Sequence, residues 1–320
     1  MAVACQTSEE RTLSRAPRGG DMSRIGTDFL HQQADLFLHV GRRTVPSRDE
    51  LEGRINGFSP APFLLHHIRE LGARRVLSVG SGTGMLELAI AKLVPDVRFV
   101  LVEPSVQQLA LFEHVLDEEG IERRRFELFQ GYFRDYAVTD VDLIMSVHAW
   151  YYAHSAEELH RAMRALYPRG RLLLQMWAAG SLISRLCTDI GAAGKSRLGH
   201  LLSAEEVRDC AKELGYRVDI EYFDYRDYLD PSERAARAAF VEVSLQTYRR
   251  AVAEGPSAES VFWSELAETD RGRAHLNAFA YFTGVPVSSM DNAWKAEAWA
   301  WLAKHYKCHQ RCARLVIRHP

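Results

Sequence analysis

Three glycines and a carboxylate form the most informative constellation in the chain. A short apolar run enters a glycine-rich turn, Val76-Leu77-Ser78-Val79-Gly80-Ser81-Gly82-Thr83-Gly84. A helical pattern follows, Met85-Leu86-Glu87-Leu88-Ala89-Ile90-Ala91. A second apolar run, Val97-Arg98-Phe99-Val100-Leu101-Val102, then ends on Glu103-Pro104-Ser105. Glycine lacks Cβ and tolerates positive φ, so such a turn lets backbone approach a ligand closely. A carboxylate at the tip of the second strand suits a ribose diol. Together these elements spell a βαβ nucleotide-binding unit.

Two kinds of ligand compete for it. Dinucleotide sites use G-x-G-x-x-G, with helix N–H groups facing a pyrophosphate. Here the spacing is G-x-G-x-G, and Met85 stands where the third dinucleotide glycine would fall. No Lys-Ser or Lys-Thr pair follows, which excludes a phosphate-cradling P-loop. The pattern fits S-adenosyl-L-methionine better, a ligand with a ribose and an amino-acid tail but no phosphate. The bland alternative is a tight turn that binds nothing. Glu103 and the next motif oppose it by their placement.

That next motif is Asp142-Leu143-Ile144-Met145-Ser146-Val147-His148-Ala149-Trp150-Tyr151-Tyr152. Residues 143–147 read as a buried central strand ending on His148, where the chain leaves the sheet. His148 is then placed beside a ligand held by Gly80, Gly82 and Glu103. It suits a substrate contact or general base, because an unperturbed histidine titrates near neutrality. The competing reading is a histidine satisfied by a backbone partner. Trp150, Tyr151 and Tyr152 can wall a pocket for a planar or cationic group, the cofactor's sulfonium included. Core packing is the alternative for them.

These residues need a scaffold, and the patterning supplies one. Apolar runs predict strands at 75–79, 98–102, 125–129, 141–147, 171–177 and 217–224. Helical periodicity predicts helices at 84–93, 105–119, 155–166 and 203–214. Such alternation calls for an α/β fold with a mostly parallel sheet and helices on both faces. Ligands in such sheets lie beyond the carboxyl ends of the strands. Ser203 and Glu206 form a capping-box pattern. Residues 1–22 read as a disordered leader, and 23–71 as a helical lid carrying Phe29 and Phe37. Within the lid, Ser59 is placed to cap a helix with Pro62 in its first turn. The core spans 72–227. A helical, aromatic-rich block at 228–306 is inserted before a final strand at 307–320, and it too is expected to cover the site.

Composition narrows the class. The formal net charge is −2 over 320 residues, so nothing draws the chain to nucleic acid or an anionic membrane. No apolar run approaches the ~20 residues that span a bilayer. Cys5, Cys187, Cys210, Cys308 and Cys312 are odd in number and scattered. That opposes a disulfide framework and suits a cytoplasmic protein. Cys308, Cys312, His305 and His309 would spread over different faces of one helix, so no metal site is assigned.

Residues 76–84, then Val102-Glu103-Pro104-Ser105 with Gln108 and Leu109, then 142–152, resemble the class I S-adenosylmethionine-dependent methyltransferases. Within that superfamily the chain is most similar to histamine N-methyltransferase and its small-molecule relatives. Ser78 in place of the more usual acidic residue, Glu-Pro-Ser at 103–105 and the Tyr-Tyr pair after the fourth strand carry this finer likeness. So do Leu202-Ser203-Ala204-Glu205-Glu206 and Leu214-Gly215-Tyr216. The likeness covers residues 60–225. It implies a doubly wound, Rossmann-like sheet of seven strands whose last strand is antiparallel. It implies cofactor contacts from Gly80, Ser81 and Gly82, and a ribose carboxylate at Glu103. Gly84, Pro104, Ser105, Gln108, Gln130, Gly131 and Val147 complete the expected cofactor set. His148, Trp150, Tyr151, Tyr152, Phe29 and Phe37 form the expected substrate set, with His148 the catalytic candidate. By position His148 matches a glutamine that touches substrate in histamine N-methyltransferase. That enzyme's amine-anchoring glutamate has no counterpart here, where Arg42-Arg43 falls.

The expected activity is methyl transfer to a small molecule of secondary metabolism, an amine or a nitrogen-containing aromatic. An alternative is C- or O-methylation of an aromatic compound with His148 as base. An alternative of another class is a module that binds the cofactor without transferring methyl. The glycine spacing opposes a dinucleotide oxidoreductase. Nothing in the sequence sets an oligomeric state.

Overall fold

The computed structural model of the chain describes residues 60–152, 156–181, 202–225, 288, 290–305 and 310–320. Helix α1 (Ala61–Leu71) leads into β1 (Arg75–Val79), α2 (Met85–Leu93), β2 (Arg98–Glu103), α3 (Val106–Glu118), β3 (Phe126–Gln130) and β4 (Val141–Val147). Then come α4 (Ala156–Ala165), β5 (Leu166–Trp177), α5 (Ala204–Glu213), β6 (Arg217–Tyr225), α6 (Asn292–His305) and β7 (Gln310–Arg318). The core elements fall where the patterning puts them, except that β5 begins at Leu166 rather than at 171. The added stretch is irregular, with a register shift against β4 between Val141 and Leu143.

All seven strands form one sheet in the order β3-β2-β1-β4-β5-β7-β6. The pairs β1–β2, β1–β4, β2–β3 and β4–β5 are parallel. Strand β7 is antiparallel to both β5 and β6. This is the mostly parallel doubly wound sheet expected, with its antiparallel final strand. The central strands are apolar on both faces because helices cover both. Leu64, Leu88 and Phe112 of α1, α2 and α3 pack one face, and Leu159, Met163 and Val207 of α4 and α5 the other.

Strands β1 and β4 are tied at both ends. The Asp142 carboxylate accepts the N–H groups of Arg74 at 2.8 Å and Arg75 at 2.9 Å. At the other end the Ser146 hydroxyl donates to the Val79 carbonyl at 2.9 Å. The strand order reverses between these two strands. That makes their carboxyl ends the switch point at which such sheets bind ligands.

Helix α1 begins with Pro60 at its N-cap and Pro62 in its first turn, and no side chain caps it. The expected cap, Ser59, lies outside the described residues. Ala61, Leu64, Leu65 and Ile68 also bury α1 on the face of the sheet beside α2, against β4 and β5. This end of the expected lid packs as a layer helix, because its apolar stripe fits the face, and Phe63 in its first turn meets the Arg314 guanidinium of β7. The rest of 23–71, with Phe29 and Phe37, and most of 228–306 lie outside the described residues. From the latter block Met290, Ala298 and Trp299 join the core on the α4–α5 side. The capping box of α5 is present: the Ser203 hydroxyl accepts the Glu206 N–H at 3.3 Å, and a Glu206 oxygen accepts the Ser203 N–H at 2.7 Å. No helix among the described residues is long and apolar enough to cross a membrane.

Candidate active site

The glycine turn leaves β1 under three different constraints. A Cβ on Gly80 would lie 2.3 Å from the Cβ of Ala149, so glycine there lets the loop after β4 rest on the turn. A Cβ on Gly84 would lie 2.2 Å from the Phe112 ring, so that glycine serves the packing of α2 on α3. A Cβ on Gly82 would meet only the Gln108 Oε1, at 2.9 Å. Gly82 is therefore the position of the three that leaves room for a ligand. Sequence spacing groups them as one cofactor motif, but Gly84 has a packing reason of its own.

Glu103 organises this corner. Its Oε2 accepts the Gly82 N–H at 2.9 Å and its Oε1 accepts the Ser105 N–H at 3.0 Å. The carboxylate, 4 % exposed, thereby ties the turn to the start of α3 across Pro104. The Ser105 hydroxyl caps α3 by accepting the Gln108 N–H at 3.2 Å. Gln130 pairs with Glu103 in register, and the Gly131 N–H donates to the Glu103 carbonyl at 3.1 Å. Gly82, Glu103, Pro104, Ser105, Gln108, Gln130 and Gly131 are thus brought to one place.

Glu87, one turn into α2, is a residue that sequence reasoning passed over. Its Oε1 accepts the Ser78 hydroxyl at 2.6 Å. Its Oε2 and the Ser81 Oγ are buried without hydrogen-bond partners. Burial raises the Glu87 carboxyl to about 7, opposed by the Ser78 bond and aided by the charge of Glu103. The available signal was a lone acidic residue inside the apolar run 85–91.

On the β4 side the polar groups are tied together. His148 has φ +54°, and its N–H donates to the Gln175 carbonyl at 2.8 Å. Its Nδ1 lies 2.8 Å from the Tyr151 hydroxyl, which accepts the Trp177 N–H at 2.7 Å. Its Nε2 faces the Gln175 amide nitrogen at 3.4 Å, while Arg314 Nε donates to the Gln175 Oε1 at 3.3 Å. Arg314 thereby turns the amide NH₂ toward His148. That orientation makes Nε2 the acceptor and puts the ring proton on Nδ1, an assignment made from the network. The Trp177 ring packs on the imidazole, with centroids 4.6 Å apart. Burial holds the His148 pKa down to about 4.

The aromatic run serves packing more than a cage. Trp150 is 1 % exposed, sealed in the core beside Phe133. Tyr151 is buried, with its hydroxyl given to His148 and Trp177. Tyr152 is described only in its backbone. Val147 is partly buried on the α1–α2 side of the sheet.

Of the Cys308, Cys312, His305 and His309 group, only Cys312 has a described side chain, buried in β7. A different cluster, His66, His67 and Glu70, has ligand atoms within 4.8 Å of one another. There Arg171 donates to the His67 Nδ1 at 2.6 Å and to both Glu70 oxygens at 2.6 and 2.8 Å. A guanidinium already holds the cation's place.

The corner at β1 and β2 fits a nucleoside: it offers a close-approach turn at Gly82 and a carboxylate at the end of the second strand. Sheet order, antiparallel seventh strand and this corner define the class I S-adenosylmethionine-dependent methyltransferase architecture. Residues 39–220 match the family model described as a methyltransferase domain. The chain belongs to that family and is an S-adenosylmethionine-dependent methyltransferase.

Several solved structures share the fold. Mycolic acid cyclopropane synthase CmaA1, solved with S-adenosylhomocysteine and CTAB, aligns with TM-score 0.54 at 15 % identity, covering 93 % of this chain and 99 % of its own. A Galdieria sulphuraria protein assigned as a sarcosine dimethylglycine methyltransferase aligns at 0.53 and 15 %, covering 90 % and 98 %. The [4+2]-cyclase SpnF aligns at 0.51 and 15 %, covering 91 % and 95 %. Comparison with curated proteins finds no match. At such identities the likeness is one of fold alone. The differing reactions of these three proteins show that the fold does not choose the acceptor.

Proposed function

We propose that this methyltransferase acts on an uncharged nitrogen of a small molecule, an amine or a nitrogen-containing aromatic ring. The observation that carries the reading is the network around His148, whose Nδ1 is given to the Tyr151 hydroxyl and whose Nε2 faces the Gln175 amide NH₂. With a pKa near 4 the ring is neutral at physiological pH. Taking a proton from a phenol or a ring carbon would be steeply uphill for so weak a base. A nitrogen with a free lone pair needs no proton removed before attack. The sequence likeness to histamine N-methyltransferase, whose glutamine at this position also cannot titrate, supports the same choice.

S-adenosylmethionine brings a methyl group already activated on a sulfonium. The chain's own part is to hold and orient. The Gly82 turn admits the cofactor closely and Glu103 takes the ribose hydroxyls. His148, held by Tyr151 and Gln175, offers its Nε2 edge, where the 3.4 Å contact leaves the lone pair only loosely engaged. Rate then comes from positioning and exclusion of water, effects that reach several kcal/mol without acid–base chemistry.

Product mass from a panel of amines, imidazoles, indoles and phenols tests the reading, together with a pH profile. Turnover of nitrogen acceptors is expected, with kcat/KM rising as the acceptor's own ammonium deprotonates. His148→Gln should keep most activity and His148→Ala should lose about 10–100-fold. Turnover of phenols or carbon acceptors alone, abolished by His148→Gln, would replace this reading by base-assisted O- or C-methylation. Cofactor binding with no acceptor turned over would point to a binding module.

A further inference from the structure

His148 follows β4 at the carboxyl end of the sheet and keeps part of its surface exposed. Its φ of +54° is a conformation that non-glycine residues seldom hold, and such strain collects at functional sites. A neutral imidazole carries its proton on either nitrogen, and the two tautomers do opposite things to an amine. A protonated Nε2 would donate to the amine's lone pair, which is the pair that must attack. A bare Nε2 accepts from an amine N–H and leaves that pair free.

Groups from three other parts of the chain choose between the tautomers. Arg314 on β7 donates from Nε to the Gln175 Oε1 on β5 at 3.3 Å. Its guanidinium lies 5.5 Å from the ring centre of Phe63 on α1 and 4.6 Å from that of Phe223 on β6, and 3.9 Å from the Glu221 carboxylate. An arginine has no acceptor, so the Gln175 amide turns its oxygen to Arg314 and its NH₂ to Nε2. The Tyr151 hydroxyl agrees with this. It lies 2.8 Å from Nδ1, accepts the Trp177 N–H, and has a second lone pair for a proton on Nδ1. The Gln175 nitrogen is 3.4 Å from Nε2, long for a hydrogen bond. A substrate N–H that comes closer can take its place.

We propose that Arg314 and Gln175 are positioning residues that hold His148 in the tautomer with a bare Nε2, and that the site thereby takes amines whose nitrogen carries a hydrogen and stops at the tertiary amine. This rests on the reading of a nitrogen acceptor. A tetrahedral nitrogen points its lone pair and its N–H in different directions, so one amine can face the methyl group and His148 together. Its lone pair forms the new N–C bond, the C–S bond pair passes to sulfur, and the extra proton on nitrogen goes to water. Nitrogen becomes positive as that bond forms, so its N–H is a stronger donor in the transition state than before it. A contact that tightens there raises kcat. A tertiary amine has no hydrogen to give Nε2, so no quaternary ammonium should form.

Nitrogen-15 NMR of the histidine-labelled chain tests the tautomer, with the His148 signals identified by their loss in His148→Gln. The wild type should show a protonated Nδ1 and a bare Nε2. Gln175→Glu offers Nε2 an acceptor in place of a donor and should move the proton to Nε2. It should lower kcat about 10–100-fold while KM and S-adenosylhomocysteine affinity stay within about twofold. Arg314→Met frees the Gln175 amide to turn and should give a mixture of tautomers. A primary amine turned over in the panel above is then compared with its N-methyl and N,N-dimethyl forms. The first two should react, and the third roughly 100-fold more slowly or not at all. A protonated Nε2 in the wild type, an unmoved proton in Gln175→Glu, or a quaternary product would each overturn the proposal. The wild-type spectrum decides even where a variant folds poorly. Turnover of phenols or carbon acceptors alone would instead reject the nitrogen-acceptor reading.

Discussion

The two sides of the switch point treat their polar groups in opposite ways. Around β1, α2 and β2, polar oxygens lack partners: Glu87 Oε2 and Ser81 Oγ are buried and unmet, and the Glu103 charge acts on Glu87. Around β4, β5 and β7, the groups answer one another in a chain through Tyr151, His148, Gln175 and Arg314. Burial pushes both key groups toward neutrality, the Glu87 acid up to about 7 and the His148 base down to about 4. A buried polar group left unsatisfied costs about 1–3 kcal/mol. Such a cost is tolerable where a ligand removes it. The polar groups around β1 and β2 are therefore left partly unmet, whereas those around β4 and β5 hold one another.

The comparison breaks most visibly at the glycines. Gly84→Val should destabilise the fold by roughly 3 kcal/mol or more, since the new side chain enters the Phe112 ring at a positive φ. Urea denaturation measures this. Gly82→Val meets only the flexible end of Gln108, so it should fold with a smaller loss and yet fail to bind cofactor in calorimetry. Equal stability of the two variants would remove the distinction between a packing glycine and a ligand glycine.

Glu87→Gln sharpens the electrostatic half. The folded chain holds this proton up to about pH 7, whereas an unfolded glutamate releases it near 4.5. Between those values the folded state carries more protons, so wild-type stability falls as pH rises through that window. The full cost is present above pH 7 and amounts to roughly 3 kcal/mol. The variant should match the wild type near pH 4 and exceed it by up to that amount at pH 8, measured by denaturation at both. Equal stability at pH 8 would mean that the buried carboxyl is already compensated without ligand.

Glu103→Ala should weaken S-adenosylmethionine and S-adenosylhomocysteine by roughly 1–3 kcal/mol, the scale of a hydrogen bond to a charged group. Calorimetry checks it, and NAD should not bind either chain. Tyr151→Phe tests the other side. It removes the partner of His148 Nδ1 and the acceptor of the Trp177 N–H, for about 1–3 kcal/mol of stability and a few-fold in kcat. A kcat loss larger than that of His148→Ala would show Tyr151 acting on the substrate itself.

Much of the scaffold was legible because its signals are local. Apolar runs bounded by turn residues placed β1, β4 and the parallel part of β5, and the Ser203–Glu206 pair marked the start of α5. The glycine turn and Glu103 were legible as one constellation because spacing alone separates them from dinucleotide and phosphate loops. Less of the acceptor side was visible. Trp150 and Tyr151 read as pocket walls from composition, since a row of aromatics after a strand does not reveal which rings turn inward. His148 read as a base poised near neutrality because burial, which lowers its pKa, is a property of its neighbours in space. That helix α1 packs as a layer was not visible, because its apolar stripe is the same whether it meets a face or a strand end.

Residue order alone set the alternation of strands and helices, the cofactor class, and the carboxylate at the end of β2, all through signals between near neighbours in the chain. The tertiary structure alone decided the strand order with β7 between β5 and β6. It also decided the burial that leaves Glu87 half-satisfied, and the joining of Tyr151, His148, Gln175 and Arg314 into one neutral network. The reason is distance along the chain. Gln175 and Arg314 are far apart in sequence, and only the register of β5 against β7 sets them side by side.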